Sequence, residues 1–267
     1  MNILDALILG LTQGLTEFLP VSSTGHLIIV HDLLGTDIGG ALAFDAVLHL
    51  ATALAVIIYF RRDVLRLLKT ALRLMGHKEV VGKDKKLLLA ILWGTVPAVV
   101  LGLSLESYIE TSFRSPELVA VVLLLGSILF VLAERKHKYR TGSTELDSLR
   151  GFRIGLWQAA ALLPGLSRSG ATISGGMLLG LDRHEAARFA FLLAVPVILG
   201  AGLMKLIDLL SVGSNFEWSY LLAGALTAFA IGLLAIHFLL SILRKYSLWP
   251  FVWYRVALAI LILVWAV

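Results

Sequence analysis

The chain has no cysteine among its 267 residues. That absence excludes disulfide frameworks, thiolate nucleophiles and Cys-based zinc or iron–sulfur sites, so any chemistry must use oxygen, imidazole or guanidinium groups. Charge is scarce as well. Asp, Glu, Lys and Arg make up 15% of the residues, against about 25% in an ordinary soluble domain. No Lys or Arg precedes Arg61, and Asp5 falls where the apolar core of a cleaved signal would lie, so the first segment is expected to stay in the mature protein. In place of charge there is apolar sequence: 58% of the residues are hydrophobic and the mean hydropathy is +0.90. Runs such as 87–105 and 118–133 come close to the ~20 apolar residues that cross a bilayer, which implies an all-α, polytopic membrane protein. The net charge of +5 does not call for a nucleic-acid partner, because the basic residues lie between apolar runs rather than on a surface that could read a groove.

Six segments are predicted to span: 41–60, 87–105, 117–134, 186–208, 219–241 and 250–267. Two regions do not fit. Residues 3–34 are interrupted by Gln13, Glu17, Pro20, Ser22, Ser23, Thr24, Gly25 and His26, and residues 152–180 by Pro164, Gly165, Ser167, Arg168, Ser169 and Gly170. Each would form two half-helices, too short to cross a ~30 Å hydrocarbon core, and the natural reading is a re-entrant hairpin. Backbone groups freed at such breaks cannot be satisfied by lipid, so both loops must be buried in protein or line a wet cavity.

Sliding the chain on itself by 145 residues pairs 46 positions from Gly10 to Ala55 without a gap, and 14 are identical, among them Gly10/Gly155, Gln13/Gln158, Ser22/Ser167, Gly25/Gly170 and Phe44/Phe189. The reading is a single membrane domain of two repeats, 1–145 and 146–267, each a re-entrant hairpin followed by three spans. Three is odd, so the copies are inverted and their special loops should meet near the midplane. Of the 23 Lys and Arg residues, 19 fall on one side, in 61–86, 135–153, 183–188 and 244–245; the other side has only Arg114, with Lys205 near a span end. The basic side should be cytoplasmic, with both termini external.

Gln13 and Glu17 are four apart and share a helix face. Pro20 ends that half-helix, and Ser22, Ser23 and Thr24 stand where the next begins, as cap residues beside free backbone N–H groups suited to an anion. His26 lies within the first turn. In the second loop, glycines flank Ser167-Arg168-Ser169, and a guanidinium at membrane depth needs an anion, for which the bidentate fork suits phosphate. Single hydroxyls in membrane helices are commonly packing groups, and a plain Glu17–Arg168 ion pair holding the repeats together is the bland alternative. Asp45, His49 and His237 lie on spans without such company and are read as satisfied polar residues.

Gln13-x-x-x-Glu17 running into Phe18-Leu-Pro-Val-Ser-Ser-Thr-Gly-His26, together with Pro164-Gly-x-Ser-Arg-Ser-Gly-Ala-Thr172, resembles the undecaprenyl-diphosphate phosphatases of the bacitracin-resistance type. The resemblance runs along the whole chain. It implies a multi-pass enzyme of the bacterial cytoplasmic membrane that removes the terminal phosphate of a polyprenyl diphosphate lipid, returning the monophosphate carrier to cell-wall synthesis and conferring bacitracin resistance. It also implies a divalent cation, magnesium or calcium, at Glu17 and the variable first position. Here that position is Gln13, a neutral and weaker ligand.

On this reading Glu17, Ser23, His26 and Arg168 are catalytic, with the site toward the outer face. Gln13, Ser22, Thr24, Ser167, Ser169, Gly170 and Thr172 bind substrate. Arg168 clamps phosphate, helped by backbone N–H groups near Ser169 and Gly170; Ser23 attacks, and His26 is its base. Attack by water and a phosphohistidine at His26 are the other routes. The competing function is a transporter or flippase of lipid phosphates, since inverted repeats with broken helices are transporter architecture. The oligomeric state is left open, a homodimer included.

Overall fold

A computed structural model describes residues 2–36, 38–80, 82–112, 115–138, 145–211 and 217–265, and among them there are eleven helices and no strand. The first hairpin is α1 (Ile3–Thr16) and α2 (Ser23–Leu34). Asn2 and Asp5 close a capping box at the start of α1, and α2 ends on Gly35, whose φ of 61° few residues with a side chain adopt. The second hairpin is α7 (Ser148–Ala160) and α8 (Arg168–Leu178). Both breaks stand where the interrupting polar residues place them.

The long segments are α3 (Ile38–Tyr59), α5 (Lys83–Ser112), α6 (Pro116–Lys138), α9 (Arg183–Ser211), α10 (Trp218–Leu243) and α11 (Trp249–Trp265). Of these, α5, α6, α9 and α10 are long and apolar enough to cross a membrane, and α3 makes a fifth when joined to the helix that follows it. The last predicted span is shorter than expected: α11 has 17 residues, ~26 Å at 1.5 Å per residue.

The segment read as the basic loop 61–86 is in part a helix, α4 (Arg61–Met75), bent by 86° from α3. Its sequence alternates too finely for a hydropathy window to register: Leu65, Leu68, Leu72 and Met75 make one exposed apolar stripe, and Arg62, Arg66, Lys69 and Arg73 lie between them. That pattern, at a near right angle to a span, suits a helix lying in the bilayer interface.

Packing brings the hairpins to the centre. The first half-helix α1 lies against α10, and α7 lies against α5, so each hairpin leans on a span from the other half of the chain. Glycines make both approaches possible: a Cβ on Gly10 would strike the carbonyl of Gly224, and one on Gly155 the carbonyl of Gly94. The largest buried apolar cluster surrounds the breaks and includes Phe18, Phe60, Phe130 and Phe191. A bidentate pair from Arg183 to buried Glu134, at 2.9 and 2.5 Å, with the Leu248 N–H donating to the same carboxylate, fastens α6, α9 and the turn before α11.

Candidate active site

Pro20 has no N–H to continue α1, and the chain turns through Phe18–Val21 before Ser22 reverses it. Ser22 has φ 76° and Ser167 φ 72°, two of the three non-glycine residues with positive φ among the described residues. Each is the N-cap of its second half-helix, and each Oγ accepts the N–H three residues on, from Gly25 and from Gly170. The identity seen at the 145-residue offset is thus a shared strained cap.

This cap removes one expected contact. The Gly170 N–H, predicted to help hold phosphate, is taken by Ser167. The N–H groups of Ser23 and Thr24, and of Arg168 and Ser169, are the ones with no partner inside their helices. The positive ends of α2 and α8 therefore both open onto the meeting point of the loops.

Glu17 holds that meeting point together. One carboxylate oxygen accepts Arg168 Nη2 at 2.5 Å; the other accepts Ser23 Oγ at 2.7 Å and Gln13 Nε2 at 3.0 Å. Arg168 Nη1 reaches the Ala194 carbonyl at 3.4 Å, leaving further N–H groups of the fork for an anion. A second tie runs from Ser169 Oγ to the Leu19 carbonyl, 3.2 Å. The ion pair between the loops is present, as the bland reading required, but the serine bonded to the same carboxylate is not explained by a strut.

The expected pairing of Ser23 with His26 is not what the geometry shows. His26 Nδ1 donates to the Ser22 carbonyl at 2.7 Å, which fixes the proton on Nδ1 and leaves Nε2 as acceptor for the Tyr254 hydroxyl, also at 2.7 Å. The two rings stack at 5.8 Å. Ser23 donates its hydrogen bond to Glu17, so the group within reach of its proton is the carboxylate and not the imidazole. The reason is local. His26 reaches back over the first turn to the cap carbonyl, while Ser23 begins the helix facing the end of α1.

The other predicted residues divide. Thr24 is exposed, and no described residue hydrogen-bonds its hydroxyl. Ser22 and Ser167 are caps, and Thr172 bonds back to the Arg168 carbonyl at 2.7 Å, so these three serve the backbone. Gly170 is buried against Phe130 and Pro20, a space that a side chain would fill.

Three residues were missed. His49, read as a satisfied polar group, places Nε2 3.6 Å from Glu17; its companion Asp45 pairs with His31. Tyr254 and Arg255 sit inside 250–267, whose apolar sequence reads as a plain span. Arg255 is fully buried, and its guanidinium donates to the carbonyls of Pro20 (3.4 Å), Gly165 (3.0 Å) and Leu123 (3.0 Å). The sequence signal that could have found it is a lone Arg in an apolar run.

Among the described residues, no three His, Cys, Asp or Glu side chains gather as a metal cluster. At the break there is one carboxylate, Glu17, and beside it Gln13 Oε1 is buried with no hydrogen-bond partner. Two protein oxygens fit a magnesium or calcium ion that completes its shell with substrate phosphate and water, and do not make a cage for an ion of the protein's own.

Comparison with known proteins agrees in extent and kind. The family model described as "Bacitracin resistance protein BacA" matches residues 6–261. The undecaprenyl-diphosphatase of Rubrobacter xylanophilus is 43% identical over 265 residues, covering 98% of this chain and 97% of that protein. That of Thermobifida fusca is 45% identical over 267 residues, covering 98% and 90%, and that of Geobacter sulfurreducens 43% over 258 residues, covering 96% and 95%.

Proposed function

Because this chain belongs to the bacitracin resistance protein family, we propose that it hydrolyses the terminal phosphate of undecaprenyl diphosphate, releasing undecaprenyl phosphate and inorganic phosphate. It is a multi-pass membrane enzyme. The observation that carries the reading within the molecule is the bond from Ser23 to Glu17 beside Arg168. A carrier needs an anion clamp but no hydroxyl held by a carboxylate, which favours hydrolysis over transport.

In the proposed reaction Ser23 Oγ attacks the terminal phosphorus and passes its proton to Glu17. The anhydride P–O bond breaks, and the lipid monophosphate leaves with the electron pair. Water then attacks the serine-bound phosphorus; the Ser23–P bond breaks, Ser23 Oγ leaves with the electron pair and recovers the proton from Glu17, and both protons of the water depart on the released inorganic phosphate. Arg168 turns its fork to the transferring phosphoryl oxygens, and the N–H groups opening α2 and α8 face the same charge. Glu17 and Gln13 Oε1 would hold the divalent cation, which supplies neutralisation of phosphate charge. His26, tied to Tyr254, orients that side of the site.

The test is phosphate release by purified protein from undecaprenyl diphosphate, with and without chelator. Release that falls on chelation is expected; no release, together with binding of the same lipid, would point to a carrier. Arg168→Lys keeps charge and loses the fork, and should reduce turnover by about 10-fold or more, about 1.4 kcal/mol per decade. Near-normal turnover by that variant would move the phosphate site elsewhere.

The proposed orientation puts the basic end in the cytoplasm and the first hairpin's entrance outside, in the inner membrane of the cell. A cysteine introduced at Gly76 should resist an impermeant thiol reagent in intact cells and react after permeabilisation. Labelling in intact cells would reverse the orientation.

A further inference from the structure

At the basic end, the last turns of α3 and α10 and the first turns of α9 enclose a cavity of about 230 Å³ that the proposed hydrolysis does not use. Its polar lining is Tyr59, His184, Arg188, His237, Ser241 and Arg244: two guanidinium groups, two imidazoles and two hydroxyls, with no carboxylate. Asp63 of α4 holds Arg188 at 2.6 Å from outside that lining, and also accepts Arg66. Arg244 makes no ion pair or side-chain hydrogen bond with any described residue. The Tyr59 hydroxyl and His237 Nδ1 lie 3.2 Å apart, which ties α3 to α10 across the opening.

The cavity is separate from the meeting point of the loops. Phe60 lines it, and behind Phe60 stand Phe191 and then Phe18, with ring centroids 6.3 and 5.5 Å apart and all three rings buried. Phe18 directly follows Glu17, so an apolar wall divides the two places. A cation would be repelled by the lining. The low-dielectric floor of Phe60 and Leu240 strengthens attraction for an anion, and two planar forks with hydroxyl and imidazole donors match the several oxygens of a tetrahedral oxyanion.

We propose that this cavity binds a phosphate group, supplied either by the headgroup of an anionic lipid in the adjoining leaflet or by free inorganic phosphate. Arg244 and Arg188 provide the charge, and Ser241, Tyr59 and the two histidines provide directional contacts. Both sources share the same chemistry. Exposure of His237 and Ser241 on the flank of α10 gives a lipid headgroup lateral access, and the open end admits the free ion.

Since the native chain has no cysteine, Ser241→Cys puts a single thiol at the cavity of the otherwise intact protein. Its reaction with N-ethylmaleimide, which is neutral, is followed with inorganic phosphate, dioctanoyl phosphatidate or dioctanoylglycerol at matched ionic strength. At ten times the dissociation constant, one of the two phosphate-bearing probes should slow labelling by about tenfold through simple occupancy. Protection by inorganic phosphate identifies the free ion as a ligand, and protection by phosphatidate alone identifies a lipid headgroup. Adding Arg244→Gln, an exposed change, should raise the half-protecting concentration by about tenfold. Labelling unaffected by both phosphate probes, equal protection by dioctanoylglycerol, or protection unchanged in the Arg244→Gln background would each overturn the proposal.

Discussion

Alanine at Ser23 is expected to abolish phosphate release, by about three orders of magnitude or more, while the protein still binds the diphosphate lipid. Three decades correspond to about 4 kcal/mol of transition-state stabilisation, the scale expected when a covalent nucleophile is removed and not merely a hydrogen bond. The neighbouring hydroxyls sharpen the comparison. Ser22 is committed to its cap, so Ser22→Ala should lower stability by about 1 kcal/mol and leave turnover largely intact. Thr24 is exposed, and Thr24→Ala should change little. Glu17→Gln belongs with Ser23→Ala, because it removes the proton acceptor and unpairs a guanidinium that is 18% exposed; the double variant should be scarcely worse than either single one, as for residues that act as a unit. If Ser23→Ala hydrolyses lipid near the wild-type rate, the serine route is wrong. A phosphorylated intermediate trapped by acid and mapped to His26 would replace it.

Why the sequence pairs Ser23 with His26, while the structure bonds it to Glu17, is a matter of range. Helix breaks announce themselves locally: Pro20 and Pro164, glycines and hydroxyls inside apolar runs cannot be accommodated in lipid, and both breaks stand where those residues place them. Glu17 and Arg168 were legible for the same reason, since an ionisable group at that depth demands a partner. The identity of the partner is not local. Ser23 and His26 are three apart and look like a pair on a helix face, yet His26 turns to the cap carbonyl and to Tyr254, some 228 residues away. Only the packing of α11 beside the hairpin reveals that. His49 escaped likewise, because nothing around it in sequence says that its span runs beside Glu17. The helix α4 was hidden for another reason: its leucines are diluted by arginine at every turn, so average hydropathy reads a loop where the period reads an amphipathic helix.

The other large effect should come from a residue that touches neither Glu17 nor Ser23. Arg255 is fully buried on α11, has no carboxylate partner among the described residues, and lies over the Phe130 ring with its guanidinium carbon 4.9 Å from the centroid. Its fork bridges the two breaks, because Pro20 belongs to the first loop and Gly165 to the second. Among the described residues neither of those carbonyls has another hydrogen-bond donor, whereas Leu123 also accepts Ser127. Replacing Arg255 with methionine would leave two buried carbonyls unsatisfied, at about 1–3 kcal/mol each. Against this stands relief from burying a charge without a counterion, which can offset much of that cost. Stability and activity should therefore part company. We expect Arg255→Met to unfold only somewhat more readily in detergent, yet to lose turnover by about 100-fold, because nothing then holds the Pro20 turn against the Gly165 turn and the Glu17–Arg168 alignment slackens; misplacement of about 1 Å can cost that much. Arg255→Lys, one ammonium facing three carbonyls, should fall between. The split is read from kcat and from lipid affinity measured separately: a loss confined to kcat supports a positioning role, while equal loss of folded protein and activity would make Arg255 a packing residue only.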